Sequence, residues 1–340
     1  MVVEGGRKPL LELSPMGLYC PVADVYLDPW KPVKRAIISH AHADHARPGS
    51  QHYLTHHKTV PLLHARLGTA AHQVEGVDYG EVRTINGVRF SLYPAGHVPG
   101  SAQILVEYNS ERWVFSGDYK VEHDNVSTPF EPVPCNTFIS ECTFGLPIFK
   151  WQPQQDVLNE IEQWWRGNSG RGVNSVLSAY SLGKAQRIIC NISAAVAPIA
   201  LHGAVWNMTK ILSIPMDRYE RVEEGKRYKG ALIVVPPAVL GTKWLQRFAP
   251  YEIASASGWM AIRGIKRRRG VDRGFVLSDH ADFDGLTSAI KATGAERVLL
   301  THGYTEEFSK WISSHGTKAT SLSTAFGDEE APDLQEPLVS

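Results

Sequence analysis

Three histidines and an aspartate crowd into six residues, His40-Ala41-His42-Ala43-Asp44-His45, in a chain with fourteen histidines among its 340 residues. Imidazole nitrogens and carboxylate oxygens are the donors that borderline divalent ions prefer. In extended backbone, residues two apart point to the same side, so His40 and His42 can grip one ion, while Asp44 and His45 follow on the turn and face a second position. A two-ion site needs further donors from elsewhere, one of them a carboxylate able to bridge. The chain offers them in order: His97 in YPAGHVPGS, Asp118 in FSGDY and His302 in LLTHG. Glycine flanks each, which lets backbone approach a crowded site.

The segments that must position these residues share a pattern. RAIISH (Arg35–His40), RWVFSGD (Arg112–Asp118), TFISE (Thr137–Glu141), GFVLSDH (Gly274–His280) and RVLLTH (Arg297–His302) are short apolar runs that end in a polar residue. Such runs are expected as buried strands. In open α/β arrangements functional groups collect beyond the carboxyl ends of strands, and here five strands would each deliver a His, Asp or Glu there. The middle differs: Gln154–Arg166 and Gly183–Ser193 have helical apolar spacing on either side of the strand-like Ser175–Ala179. A second α/β unit is therefore expected at 145–270, inserted into a first unit made of 1–144 and 271–320, with a polar tail over 321–340.

Composition is that of a globular protein, 43% apolar and 21% charged, with a formal net charge of zero. Nothing global announces nucleic acid, so any basic surface must be local. The opening residues hold no apolar run of the length of a signal peptide or membrane span, which predicts a cytoplasmic protein with no membrane partner. Cys20, Cys135, Cys142 and Cys190 are scattered without a C-x-x-C pair, arguing against a disulfide framework or zinc ribbon. The run IRGIKRRRG gathers Arg263, Lys266, Arg267, Arg268 and Arg269, an expected contact for nucleic-acid phosphates. Ser181, Gly183 and Lys184 lie where a strand turns into a helix, a place suited to a phosphate. Trp164, Trp165 and Trp259 are expected in the core, and His56–His57 as ordinary histidines.

H-A-H-A-D-H, then G-H, S-G-D and T-H-G, resembles the metallo-β-lactamase superfamily along the whole chain. The resemblance implies an αββα sandwich, with His40, His42 and His97 on one metal, Asp44, His45 and His302 on the other, and Asp118 bridging. SECTFG (Ser140–Gly145), AYSLGKAQR (Ala179–Arg187) and SDHAD (Ser278–Asp282) are similar to motifs that open, occupy and close the β-CASP insert of nucleic-acid-processing members. By that resemblance two Zn2+ or Mn2+ ions would activate a water against a phosphodiester. Asp44 and Asp118 would be catalytic carboxylates, His280 the general acid and Glu141 its partner. Leu18–Trp30 and Ser257–Gly270 look most like the bacterial ligase-associated DNA exonucleases, which implies DNA as substrate and an ATP-dependent DNA ligase and a helicase as partners. The same metal set serves members that cut RNA, and a catalytically silent β-CASP scaffold is a third reading, against which every proposed ligand position holds a competent residue.

Overall fold

Alternation of side chains along the strands builds the first layers. The computed structural model describes residues 9–68, 74–193, 196–264 and 270–322. Strands β1 (Glu12–Ser14), β2 (Gly17–Cys20), β3 (Val25–Leu27), β4 (Arg35–Ile37), β5 (His52–His56) and β6 (Val74–Val77) form one sheet in chain order. Helix α1 (Val60–Leu67), started by Pro61 in its first turn, crosses between β5 and β6 and buries Leu62, Leu63 and Leu67. A second sheet begins with the antiparallel meander β7 (Val82–Ile85), β8 (Val88–Pro94), β9 (Ala102–Tyr108) and β10 (Glu111–Phe115), and β11 (Thr137–Cys142) joins it parallel to β10.

The chain then enters a separate sheet. It comprises β12 (Asn174–Ser178), β13 (Ile199–Leu201), β14 (Tyr219–Arg221), β15 (Leu232–Val235), β16 (Tyr251–Ala256) and β17 (Arg273–Phe275), parallel throughout in the order β14-β13-β15-β12-β16-β17. Helices α2 (Gln154–Gly170), α3 (Lys184–Asn191) and α4 (Gly203–Ile211) supply the crossovers a parallel sheet requires. Its strands are apolar on both faces, as between layers of helices. Finally α5 (Phe283–Thr293), β18 (Arg297–Gly303), α6 (Thr305–Ser314) and β19 (Lys318–Ser321) return to the second sheet, where β18 pairs parallel with β11.

In the second sheet Trp113, Phe115, Ile139 and Leu299 face a core shared with Leu18, Val25, Leu27 and Ile37 of the first. Their neighbours Val114, Phe138, Val298 and Leu300 point the other way, onto Leu286, Ile290, Phe308 and Ile312 of α5 and α6. This period-two switch is the signature of a sheet covered on both sides. The result is the expected helix–sheet–sheet–helix stack. Among the described residues, 9–123, 127–150 and 280–322 form one compact unit and 124–126 with 151–279 form another.

One strand departs from the sequence reading. Gly274–His280 was expected as a single strand ending in histidine, but only Arg273–Phe275 is extended, and it pairs with β16 in the second unit's sheet. Residues 276–282 are irregular although Leu277 and Ala281 are buried. Burial alone made the run look like a strand. No helix among the described residues is long and apolar enough to cross a membrane.

Candidate metal centre

The first unit brings the motif histidines together at strand ends. His40 follows β4, His97 follows β8, Asp118 follows β10, and His302 sits near the end of β18. His42 Nδ1 lies 3.2 Å from His40 Nε2 and 3.0 Å from His97 Nε2. The three rings stand nearly perpendicular to one another, at 81°, 82° and 83°. Asp118 Oδ2 completes this set at 3.5 Å from His40 Nε2 and 3.7 Å from His97 Nε2. The same oxygen is 3.3 Å from His45 Nε2, which lies 3.6 Å from Asp44 Oδ2. Two donor sets, His40–His42–His97–Asp118 and Asp44–His45–Asp118, therefore share one carboxylate. The ring of His302 is 5.5 Å from that of His45, beside the second set rather than within its cluster of donor atoms.

The closeness required of the backbone is visible at two glycines. A Cβ on Gly117 would meet Ser39 Oγ at 2.8 Å, and one on Gly303 would meet Cys142 O at 2.4 Å, both at positive φ. His302 itself is held at φ 57°, a conformation costly for a residue with a Cβ and typical of functional positions.

Asp28, to which sequence reasoning assigned no role, governs the orientation of two of these rings. Its carboxylate accepts from the Ser39 backbone N–H at 2.7 Å, from Ser39 Oγ at 2.5 Å and from His45 Nδ1 at 2.7 Å. Because the single Ser39 hydroxyl proton goes to Asp28, the 3.0 Å contact between Ser39 Oγ and His40 Nδ1 must be donated by the histidine. Both Nδ1 atoms thus carry protons, which leaves the Nε2 atoms, turned toward the cluster, as the positions available to a metal. Such carboxylate–histidine pairing fixes tautomer and basicity in metal sites. Asp28 ends the apolar run VYLD, the same run-then-acid pattern that flagged Asp118, and this was the available signal.

The electrostatics favour a cation. Burial, helped by His45 and His97, holds His40 well below the usual histidine range, so it is neutral and able to ligate. Burial also lowers His302. Burial opposes charge on His45 as well, yet Asp118 and Asp44 outweigh it and raise its affinity for a proton far above normal. Asp118 and Asp44 are in turn held ionised, against burial, chiefly by His45. Among the described residues, the buried His45 Nε2 has no well-aligned hydrogen-bond partner, although Asp118 Oδ2 stands 3.3 Å away. Metal–nitrogen bonds of about 2.0–2.1 Å at tetrahedral to octahedral angles place donors about 3 Å apart, which is the spacing of His42 Nδ1 from His40 Nε2 and from His97 Nε2. The donor sets are of the kind that could hold divalent metal.

Beside this centre stand Glu141 and His280. Glu141, fully buried in β11, accepts from Tyr119 N at 2.9 Å, Thr143 Oγ1 at 2.5 Å and His280 Nδ1 at 2.8 Å. A carboxylate only accepts here, so Nδ1 carries the proton and Nε2 faces Asp118 Oδ2, 4.0 Å away.

The candidates for phosphate contact fare differently. Gly183 N–H, the start of α3, is taken by Gln186 Oε1 at 2.8 Å, and Ser181 O accepts from Gln186 Nε2 at 3.0 Å. Lys184 is buried and lies 3.5 Å from Asp279 Oδ2. Those three residues make a closed turn, not an open anion cradle: the amide and the cation are both engaged within their own unit. Arg263 is exposed, while Lys266, Arg267, Arg268 and Arg269 lie outside the described residues, as does the tail from 323 on. Trp164 and Trp165 are core residues whose indole N–H groups reach Glu252 and Gly230 O.

Comparison with known proteins gives the same picture. Residues 25–163 match the family described as the metallo-beta-lactamase superfamily. A "Probable DNA ligase" of Opitutus terrae is 30% identical over 312 residues, which cover 90% of this chain and 30% of that protein. "Endoribonuclease YSH1" of Eremothecium gossypii is 32% identical over 125 residues, 36% of this chain and 16% of that protein. Its namesake in Saccharomyces cerevisiae is 33% identical over 119 residues, 34% of this chain and 15% of its own length. The chain thus spans 30% or less of these relatives. A crystal structure of a protein of unknown function from Enterococcus faecalis V583 shares the fold, with a TM-score of 0.58 at 12% identity over 80% of this chain and 76% of that one.

Proposed function

We propose that this chain, whose residues 25–163 match the metallo-beta-lactamase superfamily, is a metal-dependent phosphodiester hydrolase that trims DNA ends as an exonuclease, with its second unit serving as a β-CASP insert. The observation that carries the reading is the His280–Glu141 pair set beside the two donor clusters. A ribose oxygen is a poor leaving group unless it is protonated, and His280 Nε2 faces the shared Asp118 carboxylate at 4.0 Å. His40, His42, His97 and Asp118 would hold one ion, and Asp44, His45 and His302 with Asp118 the other. Such ions, when bound, supply Lewis acidity for the phosphate oxygens and lower the pKa of water.

The protein's own groups do the rest. Asp28 keeps His40 and His45 in the ligating tautomer. Glu141 accepts the Nδ1 proton and favours the imidazolium, whose Nε2–H goes to the departing oxygen. Arg263 and the run Lys266–Arg269 would neutralise phosphates along the strand.

DNA as the substrate is supported by the similarity to a probable DNA ligase across 90% of this chain. It also accords with an end-processing role in the cytoplasm beside an ATP-dependent DNA ligase and a helicase. The endoribonuclease relatives, similar over about a third of the chain, favour RNA cleavage as the second reading. The test is a gel assay on matched end-labelled DNA and RNA with zinc or manganese added. Stepwise shortening of DNA alone is expected. RNA cleavage would replace the substrate but keep the site, and inertness toward both with metal bound would overturn the nuclease reading.

A further inference from the structure

Glu141 can hold His280 in a single direction only if both of its own oxygens are fixed, and Thr143 fixes the second of them. Among the described residues the buried carboxylate has three partners, all within the first unit. Oε1 accepts from Tyr119 N at 2.9 Å, and Oε2 accepts from Thr143 Oγ1 at 2.5 Å. His280 Nδ1 lies between the two oxygens, at 2.8 and 2.9 Å. The torsion that turns a glutamate carboxylate about its last bond has broad wells, so hydrogen bonds and not the torsion itself set the plane. Without the hydroxyl, Oε2 would be left with a share of the Nδ1 proton, and the plane could swing about Oε1.

The turn that carries Thr143 does not need this hydroxyl. Thr143 follows the end of β11, and the turn is closed by backbone: Gly145 N donates to Cys142 O at 3.0 Å, and Tyr304 N to the same oxygen at 3.2 Å. Gly303 presses on the same turn, where a Cβ would lie 2.5 Å from Thr143 Cα. Among the described residues the Thr143 hydroxyl has no partner other than Glu141. Phe144, the next residue, sets its ring 6.0 Å from that of His280 at 71°. A turn braced by its own backbone thus reaches His280 twice, through the carboxylate and through an aromatic ring.

We infer that Thr143, acting through Glu141, is a positioning residue for His280, fixing the plane of the carboxylate and with it the direction in which the ring delivers its proton; this rests on the reading of His280 as the proton donor. Hydrogen bonds to charged groups are the stronger kind, and with Glu141 1% exposed, water has little room to replace this one. Misplacing a reacting group by about 1 Å can cost up to about a hundredfold in rate. Releasing one carboxylate oxygen while the other stays bound to Tyr119 N is a smaller disturbance, expected to cost about tenfold.

The test compares two substrates in the metal-loaded protein: a DNA oligonucleotide, whose leaving oxygen needs a proton, and thymidine 5′-(p-nitrophenyl phosphate), whose p-nitrophenolate does not. Thr143→Val, which removes the hydroxyl at nearly constant shape, is expected to lower kcat on DNA by about tenfold with little change in KM, and to lower turnover of the nitrophenyl ester far less. Thr143→Ser, which keeps the hydroxyl and drops the methyl, should restore most of the lost rate. His280→Ala should split the substrates more widely. Metal content and Tm are measured alongside, and Thr143→Ala takes the place of the valine variant if that one does not fold. Equal losses on both substrates, no loss on either, or a serine variant as slow as the valine one, while His280→Ala still splits them, would overturn the positioning role and leave the acid in place. If His280→Ala itself shows no split, the acid reading falls, and the positioning role with it.

Discussion

Two buried clusters of titratable side chains, one in each unit, are built on opposite principles. In the candidate metal centre, three imidazoles converge, His42 Nδ1 lying 3.2 and 3.0 Å from its two neighbours, with Asp44 and Asp118 beside His45. In the second unit, Lys184 and Arg187 meet Asp279, and the Arg187 guanidinium also binds a carbonyl and an amide oxygen. Burying polar groups without compensation is costly. The second cluster balances itself with opposite charge. The first pairs His45 with Asp118 and Asp44, and its convergent His40, His42 and His97 form an arrangement that a cation would relieve. Convergent donors of one kind mark a ligand site, whereas paired charges mark a tie within the fold.

The largest test of this contrast removes the shared carboxylate. Asp118→Ala is expected to lower activity by at least about a thousandfold, because it strips both donor sets of a common member and bound ions contribute several kcal/mol to the transition state. Metal analysis of the purified variant should show reduced occupancy. Full metal content in an inactive variant would mean that Asp118 serves the reaction without holding the ions. Next comes His280→Ala, expected to cost about a hundredfold or more on DNA with the metal content intact. Loss of metal in that variant would move His280 into the donor set and blur the distinction between ligands and proton donor.

How much of this could be read beforehand follows from the same contrast. His40, His42, His45, His97 and Asp118 stand out as candidates in sequence because few side chains bind divalent ions, and His40 and Asp118 also end apolar runs. Glu141 and His280 stand out for the latter reason too. At Lys184 a Ser-x-Gly-Lys turn at a helix start has the local look of a phosphate site, and the fold adds what sequence cannot, that Asp279, distant in sequence, faces it. Asp28 was silent because one acid at a strand end has no spacing partner, and its ties to Ser39 and His45 arise only when β3 lies beside β4. The strand expected over 274–280 failed for a related reason. Of its apolar residues, Phe275 ends the short β17 and Leu277 is buried in irregular backbone, which no periodicity announces.

Asp28→Asn sharpens the comparison from outside the donor sets. The substitution keeps the shape but weakens the acceptor that holds His45 Nδ1 and, through Ser39, His40 Nδ1. Outer partners of this kind are worth about ten- to a hundredfold in metal affinity. A chelator-competition titration should show that weakening in Asp28→Asn and none in Lys184→Met, whose charge belongs to the other cluster. Equal weakening in both would dissolve the division between them.

The smallest effect concerns a histidine that belongs to neither cluster. His56 is buried at the end of β5, stacked on Tyr79 at 3.7 Å, and accepts from Lys58 N at 3.3 Å. Burial, with His57 and Lys58 nearby, pushes its pKa down to about 4. The folded protein therefore binds this proton more weakly than the unfolded chain, whose histidines titrate near 6.5. Between those values the unfolded state holds more protons, so the stabilisation from neutral His56 is complete above about pH 6.5 and is lost as pH falls toward about 4. Because His57 beside it is open to solvent, the full shift is discounted to about 1–2 kcal/mol. Urea unfolding of wild type and His56→Asn at about pH 7 and about pH 4.5 isolates this contribution, since protonation of the metal-centre histidines affects both proteins alike. The wild type should lose about 1–2 kcal/mol more than the variant over that interval, and metal content at neutral pH should be the same in both. Equal losses would mean that His56 gains its proton without cost to the fold, and burial of an imidazole would then say nothing by itself about which cluster needs an ion.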